Sequence, residues 1–301
     1  MATLRGYDFY INTVSGVDYL IIYKAIRTSK YCDVPPSLAE INEALGTAYQ
    51  TLGQYSGTYA GVWYNCFNLL AATRIPDDGV DYMTRTFYGC SALLNPPSLQ
   101  KNGEQFIETF LSSGIIIPPL IPNRAILANG MFHNCASLKS PASIPSNVTN
   151  ISSIYYKCVN LSGELVIRPT SISYGNRLNA LKYTEKPITI YGEKTLCEAI
   201  AATANNSNAS WSPWYDPVPA VTDRGQGSRT TAADMTRMVR NGVLAVSSYA
   251  PGRMVYQQGD IVRADEWNAL VEAAQTIDPS VTYSTHYTNL NKIEKAFDDA
   301  L

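Results

Sequence analysis

The sequence holds almost no histidine: His133 and His286 are the only two, far apart in the chain. Metal centres and proton-transfer sets built on imidazole would have to be made without it. Charge is scarce as well. Charged residues make up 16% of the chain, against roughly 25% in an average globular protein, so disorder driven by charge is excluded. The 23 basic and 25 acidic residues nearly cancel, for a net charge of −2. No basic excess marks a surface for nucleic acid, and none is expected as a partner. No apolar run nears the roughly 20 residues of a spanning helix. The run Gly114-Ile115-Ile116-Ile117 stops at Pro118 and Pro119, so membrane insertion is not expected. The residues from Met1 to Asp8 lack the basic-then-apolar order of a secretory signal, which points to synthesis in a cytoplasm. No two of the six cysteines (Cys32, Cys66, Cys90, Cys135, Cys158, Cys197) have the C-x-x-C spacing of a zinc ribbon. Phenylalanine is outnumbered 7 to 21 by tyrosine, whose ring suits half-exposed surfaces.

What the sequence does have is a repeat. Four cysteines sit in near-identical settings: Trp63-Tyr-Asn-Cys66-Phe-Asn-Leu69, Phe87-Tyr-Gly-Cys90-Ser-Ala-Leu93, Phe132-His-Asn-Cys135-Ala-Ser-Leu138 and Tyr155-Tyr-Lys-Cys158-Val-Asn-Leu161. A fifth copy, Phe110-Leu-Ser-Ser113-Gly-Ile-Ile116, has serine in the cysteine slot, and Ile116 is assigned to its leucine slot. The aromatic positions are spaced by 24, 23, 22 and 23 residues. Six residues after each Leu or Ile stands another apolar residue (Ile75, Leu99, Ile144, Ile167), except that Ile121 arrives one residue early. A unit of this size cannot bury its own apolar face, whereas stacked units share a continuous core. The aromatic, Cys and Leu of each copy should therefore point inward, with cysteine acting as a small buried apolar residue. Neighbouring cysteine rungs could lie close enough to bridge; cytoplasmic synthesis favours thiols. The sequons at Asn147, Asn150, Asn160, Asn205 and Asn208 read as Ser/Asn-rich composition.

This pattern resembles the BspA-type leucine-rich repeat, which runs aromatic-x-x-Cys-x-x-Leu followed by an Ile-Pro step, about 23 residues per unit. The resemblance covers about residues 63–169, with a decayed unit around Leu178, Leu181 and Ile190. It implies an α+β chain built on a leucine-rich-repeat solenoid with short parallel strands, a binding role and no catalytic residues. Residues 1–62 are expected to cap the repeats, with Ser37-x-x-Glu40 starting a helix whose Ile41, Ala44, Leu45 and Ala48 share a face. The solenoid should run over 63–204 and close on a helix from Glu193 to Ala204. Residues 205–220, rich in proline, read as a linker.

Residues 221–301 carry three short amphipathic segments of one pattern: Met235-Thr236-Arg-Met238, Trp267-Asn268-Ala-Leu270 and Leu290-Asn291-Lys-Ile293. Each is preceded by a Thr, Asp or Asn able to cap a helix. Helices of about three turns are marginal alone, so they must dock on this chain or on other copies. Met254–Val262 reads as a strand pair around Gln258-Gly259-Asp260. Gly259-Asp260-Ile261-Val262-Arg-Ala-Asp265-Glu266-Trp267-Asn268-Ala-Leu270 and Asn289-Leu290-Asn291-Lys292-Ile293-Glu294-Lys295 are similar to segments of bacteriophage fibre, tail and baseplate proteins. That resemblance implies an assembly element without chemistry, with Met235, Met238, Trp267, Asn268, Leu270, Leu290, Asn291 and Ile293 on its helices.

Catalytic sets do not rise above background. Gly225-Gln-Gly227 lacks the strand-to-helix setting of a phosphate loop. His133 with Cys135 could form a nucleophile pair, though an outward repeat position explains His133 as well; His286 has no partner in the sequence. Asp77-Asp78 and Asp298-Asp299 could bind a cation, but solvated turns explain them. Glu104, Glu108 and Glu164 could supply carboxylates for glycoside cleavage, and Trp211, Trp214 and Tyr215 a sugar platform, but nothing in the sequence brings either set together. The expectation is a bacteriophage virion structural protein: no enzyme, no cofactor, no metal. Its partners would be other virion proteins, copies of itself as a homo-oligomer, and a host surface protein or glycan. The alternative is a cellular surface adhesin.

Overall fold

The structure, a computed structural model, describes residues 2–4, 7–14, 17–23, 31–32, 38–46, 63–72, 82–205, 208–214, 231–258, 260–285 and 287–301. Strands β1 (Ala2–Leu4), β2 (Tyr7–Val14) and β3 (Val17–Tyr23) form an antiparallel meander in which Val14 faces Val17. The segment was expected only to cap the repeats. Its signal is two runs of aromatic and β-branched residues separated by Ser15-Gly16, the pattern of a two-residue hairpin. Strand β4 (Tyr31–Cys32) pairs in parallel with β5 (Ala71–Ala72) and ties this end to the first repeat. Between them lies α1 (Leu38–Leu45), closed by Gly46 at φ +65°, the left-handed exit that glycine favours. The expected cap Ser37, Ala48 and the side chains of Ile41 and Leu45 lie outside the described residues, as does Ile75.

From Trp63 the chain winds in successive rungs. The five aromatic side chains stack nearly parallel: centroids of Trp63–Phe87, Phe87–Phe110, Phe110–Phe132 and Phe132–Tyr155 are 4.8, 5.2, 5.9 and 5.5 Å apart, with tilts of 5–9°. Each such pair contributes about 0.5–1.5 kcal/mol beyond area burial. The backbone repeats the register. The N–H of each aromatic donates to the carbonyl just before the aromatic of the next rung, from Trp63 to Thr86 (3.1 Å) through Tyr155 to Ala180 (2.9 Å). That last bond places Leu181 in the ring position of a sixth rung, and buried Thr184 in its cysteine slot. Single parallel bridges join Tyr82, Gln105, Leu127 and Asn150 in succession. Among the described residues, parallel pairing of three or more residues appears at the far end, in β6 (Gly163–Val166), β7 (Ile188–Tyr191) and β8 (Ala209–Trp211), ordered β6-β7-β8. The four-residue α2 (Tyr174–Arg177) lies between β6 and β7.

Helix α3 (Lys194–Ala201) closes this end. Glu193 caps it by accepting from Thr195 and Leu196 N–H, and it buries Leu196, Cys197 and Ile200. Just past it, Thr203 Oγ1 accepts the Leu181 N–H at 2.9 Å, satisfying the last rung. Strand β8 corrects the linker expected over 205–220. Ile188 N donates to Asn208 O, Ala209 is buried, and the sheet reaches Trp211.

The last part is a three-helix unit of α4 (Ala232–Ala245), α5 (Ala264–Gln275) and α6 (Tyr287–Ala300). Thr231 and Asp234 form a reciprocal capping box on α4. On α5 the box runs from Arg263 N to Glu266; Asp265, an expected cap, pairs with Arg263 instead. The expected strand pair at Met254–Val262 is not formed among the described residues. Arg253, 4% exposed in its side chain, draws the segment around itself by pairing with Asp260 and Glu266 and donating to Ile261 O. Met254 and Tyr256 are buried while Val255 and Ile261 are exposed, but the segment folds around Arg253 and does not pair with itself as strands. The chain is thus a mixed helix and strand protein with a small parallel sheet.

Candidate binding surfaces

The inward positions explain the cysteines. The carbonyls of Trp63, Phe87, Phe110 and Phe132 each accept twice: from the N–H three residues on, and from the slot residue of the next rung. Cys90 Sγ donates to Trp63 O (3.0 Å), Ser113 Oγ to Phe87 O, Cys135 Sγ to Phe110 O (2.9 Å) and Cys158 Sγ to Phe132 O (2.9 Å). The slot therefore needs a small donor that tolerates full burial, and serine satisfies it as cysteine does. This corrects the view of cysteine as merely apolar. Cys66, Cys90, Cys135, Cys158 and Cys197 are all buried thiols. Trp63, Cys66, Leu69, Phe87, Cys90, Leu93, Phe110, Phe132, Cys135, Leu138, Tyr155, Cys158 and Leu161 all lie in the core, at 1% exposure or less. Ile116 does not. It is half-buried, and Ile115 fills the slot. The rung has lost one residue before Ile115, which also accounts for the early Ile121.

The outward positions form a second row. The residue after each inward aromatic faces solvent and is half-buried: Tyr64, Tyr88, Leu111, His133 and Tyr156, with Lys182 in the same position of the sixth rung; exposed Tyr183, one residue on, is left-handed like Lys157. Tyr64 stacks on Tyr88 at 4.7 Å, His133 lies 4.6 Å from Tyr156, and Tyr156 meets Tyr183 edge-on at 5.1 Å. Two lines of left-handed residues border the row. Arg85, Glu108, Gly130, Ser153 and Asn179 lie on one side, and Asn65, Gly89, Ser112, Asn134 and Lys157 on the other. A left-handed non-glycine residue costs roughly 1–2 kcal/mol, so the tight outer turns are held by the stack. At Gly89, φ +70°, a Cβ would sit 2.3 Å from Asn65 Oδ1, the movable end of a side chain, so glycine suits this turn without being required by it. Arg85 pairs with Glu108 at 2.6 Å, and that bond raises the guanidinium pKa. Burial lowers the His133 pKa and Lys157 adds to this, while Glu108 opposes it, so the imidazole is neutral at neutral pH.

The helical unit packs against the repeats. Val166 of β6 enters its core. Arg168 donates to the carbonyls of Val243 (2.6 Å), Val246 (3.2 Å) and Tyr249 (2.8 Å) at the C-terminus of α4. Glu164 pairs with Arg240, and Ser143 N donates to Pro251 O. Farther along, a cleft of about 910 Å3 opens between the stretch Pro96–Arg124 and α5, bridged by the exposed pair Lys101–Glu272 at 2.7 Å. Met235, Met238, Leu270, Leu290 and Ile293, expected on assembly helices, are buried between the three helices. Trp267, Asn268 and Asn291 are half-buried. Short helices with one apolar face have closed on each other within one chain.

The catalytic candidates are not brought together. Glu104, Glu108 and Glu164 each pair with a separate arginine: Arg124, Arg85 and Arg240. His133 faces out while Cys135 faces in, its thiol pKa driven up by burial. Asp298 accepts from Asn241 and Asp299 pairs with Lys295. Trp211 donates to Gly192 O, and Trp214 stacks on Tyr191. Asp77, Asp78, Tyr215, Gly225, Gly227 and His286 lie outside the described residues. Among the described residues no group of three His, Cys, Asp or Glu side chains is placed to hold a metal, and no helix is long and apolar enough to cross a membrane.

No family model matches the sequence, and no curated protein matches it. Among solved structures, a leucine-rich repeat protein of T. pallidum aligns over 52% of this chain and 68% of its own, at 18% identity and a TM-score of 0.35.

Proposed function

We propose that this chain is a non-enzymatic binding protein: a leucine-rich-repeat solenoid that presents its outward row to a host surface protein or glycan. The three-helix unit joins it to a bacteriophage particle. One observation carries the binding reading. A line of half-exposed Tyr, His and Leu side chains, one per rung, is bordered by Asn, Ser, Arg, Glu and Lys, and the inward ladder holds it in register. Rigid amphipathic rings beside adaptable polar groups are good binding material, since little side-chain entropy is lost on contact. The virion part rests on the resemblance of Gly259–Leu270 and Asn289–Lys295 to phage segments. Proposed partners are other virion proteins and further copies of the chain, which would meet through surfaces other than the buried helix faces.

The test is adhesion of the labelled chain to bacterial cells and to an array of cell-surface glycans. A Tyr88→Ala/Tyr156→Ala double variant should bind at least tenfold more weakly with its fold intact. Equal binding by the variant refutes the row as the site. Mass spectrometry of purified phage particles should return peptides of this chain. Finding it on cells free of phage would favour the adhesin.

A further inference from the structure

The last two rungs carry a charge pattern of their own. Their backbones are joined by Lys157 N donating to Lys182 O at 2.9 Å. Lys157 follows the row residue Tyr156, and Lys182 holds the row position itself, followed by Tyr183. The rings of Tyr156 and Tyr183 meet edge-on at 5.1 Å. Lys157 Nζ lies 5.7 Å from the Tyr156 ring and Lys182 Nζ 5.3 Å from that of Tyr183, inside the reach of about 6 Å for cation–π contact. Two rings and two ammonium groups thus form one cluster. Its charge is not balanced. Among the described residues neither ammonium group has a carboxylate or a hydrogen-bond partner. Earlier in the row the charges are matched, Arg85 with Glu108. In a chain of net charge −2, two like charges on adjacent rungs are a local exception, and a bound anion would relieve their repulsion.

The surroundings point to what carries the anion. The backbone is already bonded rung to rung, Asn134 to Tyr156, Tyr155 to Ala180 and Lys157 to Lys182, and Leu181 N is taken by Thr203 Oγ1. These rungs therefore offer an acidic peptide no ladder to extend. Phosphopeptide and nucleic-acid sites draw on the paired donors of arginine. Here the cations are lysines, which act as point charges, and Arg177 donates to Ile172 O instead. What the face does expose is ring surface, ammonium groups and small polar side chains: Asn134 is exposed, and Ser153 and Asn179 are half-buried. An acidic sugar offers the complement to all three. Its C–H faces suit the rings, its hydroxyls suit the amides and the serine, and its anionic group suits the lysines.

We infer that the last two rungs form an acidic-glycan subsite of the outward row, with Tyr156 and Tyr183 against sugar rings and Lys157 and Lys182 on a carboxylate or phosphate those sugars carry. The inference rests on the reading of the row as the binding surface and adds the charge of its ligand. The test is biolayer interferometry of the full chain on immobilised polygalacturonate and on a ribitol-phosphate polymer, which separate a carboxylate from a phosphate. Carboxyl-reduced polygalacturonate and poly-L-glutamate are the comparison surfaces. At least one acidic glycan should bind tenfold or more tightly than both comparison surfaces, and added salt should weaken it. Lys157→Ala/Lys182→Ala should lose that advantage with an unchanged circular dichroism spectrum, and Lys157→Arg/Lys182→Arg should keep it, which a purely structural role for the lysines would not produce. Equal binding of reduced and acidic polymer, or an alanine variant that binds as the parent does, overturns the subsite and leaves the row standing. Poly-L-glutamate bound as tightly as the acidic glycans makes the partner an acidic protein and overturns it as well. If no polymer binds, the subsite falls, while cell adhesion by the parent and its loss in Tyr88→Ala/Tyr156→Ala decide the row separately.

Discussion

At the scale of the residue, the slot three positions after each ring is defined by what it must donate. The aromatic carbonyl of the preceding rung is buried and expects two hydrogen bonds. Cys135→Ser should keep the bond to Phe110 O and lose little stability, since serine already works at Ser113. Cys135→Val fills similar space but leaves that carbonyl with only the Ser113 N–H, and should cost about 0.5–1.5 kcal/mol in urea unfolding. Burial also holds the Cys158 and Cys197 thiols up to about 12, against an ordinary value of 9.0. Below pH 9.0 both folded and unfolded thiols are protonated, and the full stability is present. Above it the unfolded chain sheds these protons while the folded one keeps them, so stability falls between about pH 9 and about pH 12. Denaturation midpoints across that window should drop less steeply in Cys158→Ser, which removes one of the titrating groups; an unchanged slope would mean the thiol is not buried as described.

At the scale of the element, one deleted residue shows how tightly the rungs constrain one another. The third rung reaches its core position through Gly114, whose N–H donates to Cys90 O. A Cβ at Gly114 would lie 2.1 Å from Ser91 O, a backbone atom that cannot swing away. Gly114→Ala should therefore destabilise by about 1–3 kcal/mol as an overpacking change, read as a lower thermal midpoint, whereas Gly175→Ala, with open space around its Cβ position, should be nearly neutral. The inward ladder was legible because ring, cysteine and leucine recur at a fixed period. The slip to Ile115 was half legible, since Ile121 came early, but only the backbone path tells Ile115 from Ile116. The left-handed turns at Glu108, Ser153 and Lys157 were not legible, because these residue types do not advertise a positive φ; the stack imposes it. The strand pair around Asp260 was misread because alternation in Met254–Val262 looks the same whether a sheet or a buried arginine organises it. Of the candidate sites, the outward row was visible only as positions left over between core residues, and the cleft was not visible at all, since it lies between segments remote in sequence.

At the scale of the whole molecule, the question is what keeps the helical unit on the repeats. The exposed Lys101–Glu272 pair contributes little, about 0–1 kcal/mol at most in such settings. Arg168 differs. It is partly buried and satisfies three carbonyls at the end of α4, where a cation also suits the helix dipole, and Trp214 lies over its guanidinium at 5.4 Å. Arg168→Met keeps much of the packing and removes every donor. The rungs and the three helices have separate hydrophobic cores apart from Val166, so loss of the clamp should loosen the joint without unfolding either part. Hydrogen exchange should speed up at the C-terminal turn of α4 and around Val243–Tyr249, while amides of the ring ladder from Phe87 to Tyr155 stay protected, and a single thermal transition should split in two. Salt up to 1 M should leave the parent joint closed, because bonds from a partly buried guanidinium to backbone carbonyls are screened far less than a surface pair. If salt alone opened it, the surface charges rather than Arg168 would be holding the two parts together, and the cleft beside α5 would widen and narrow with ionic strength.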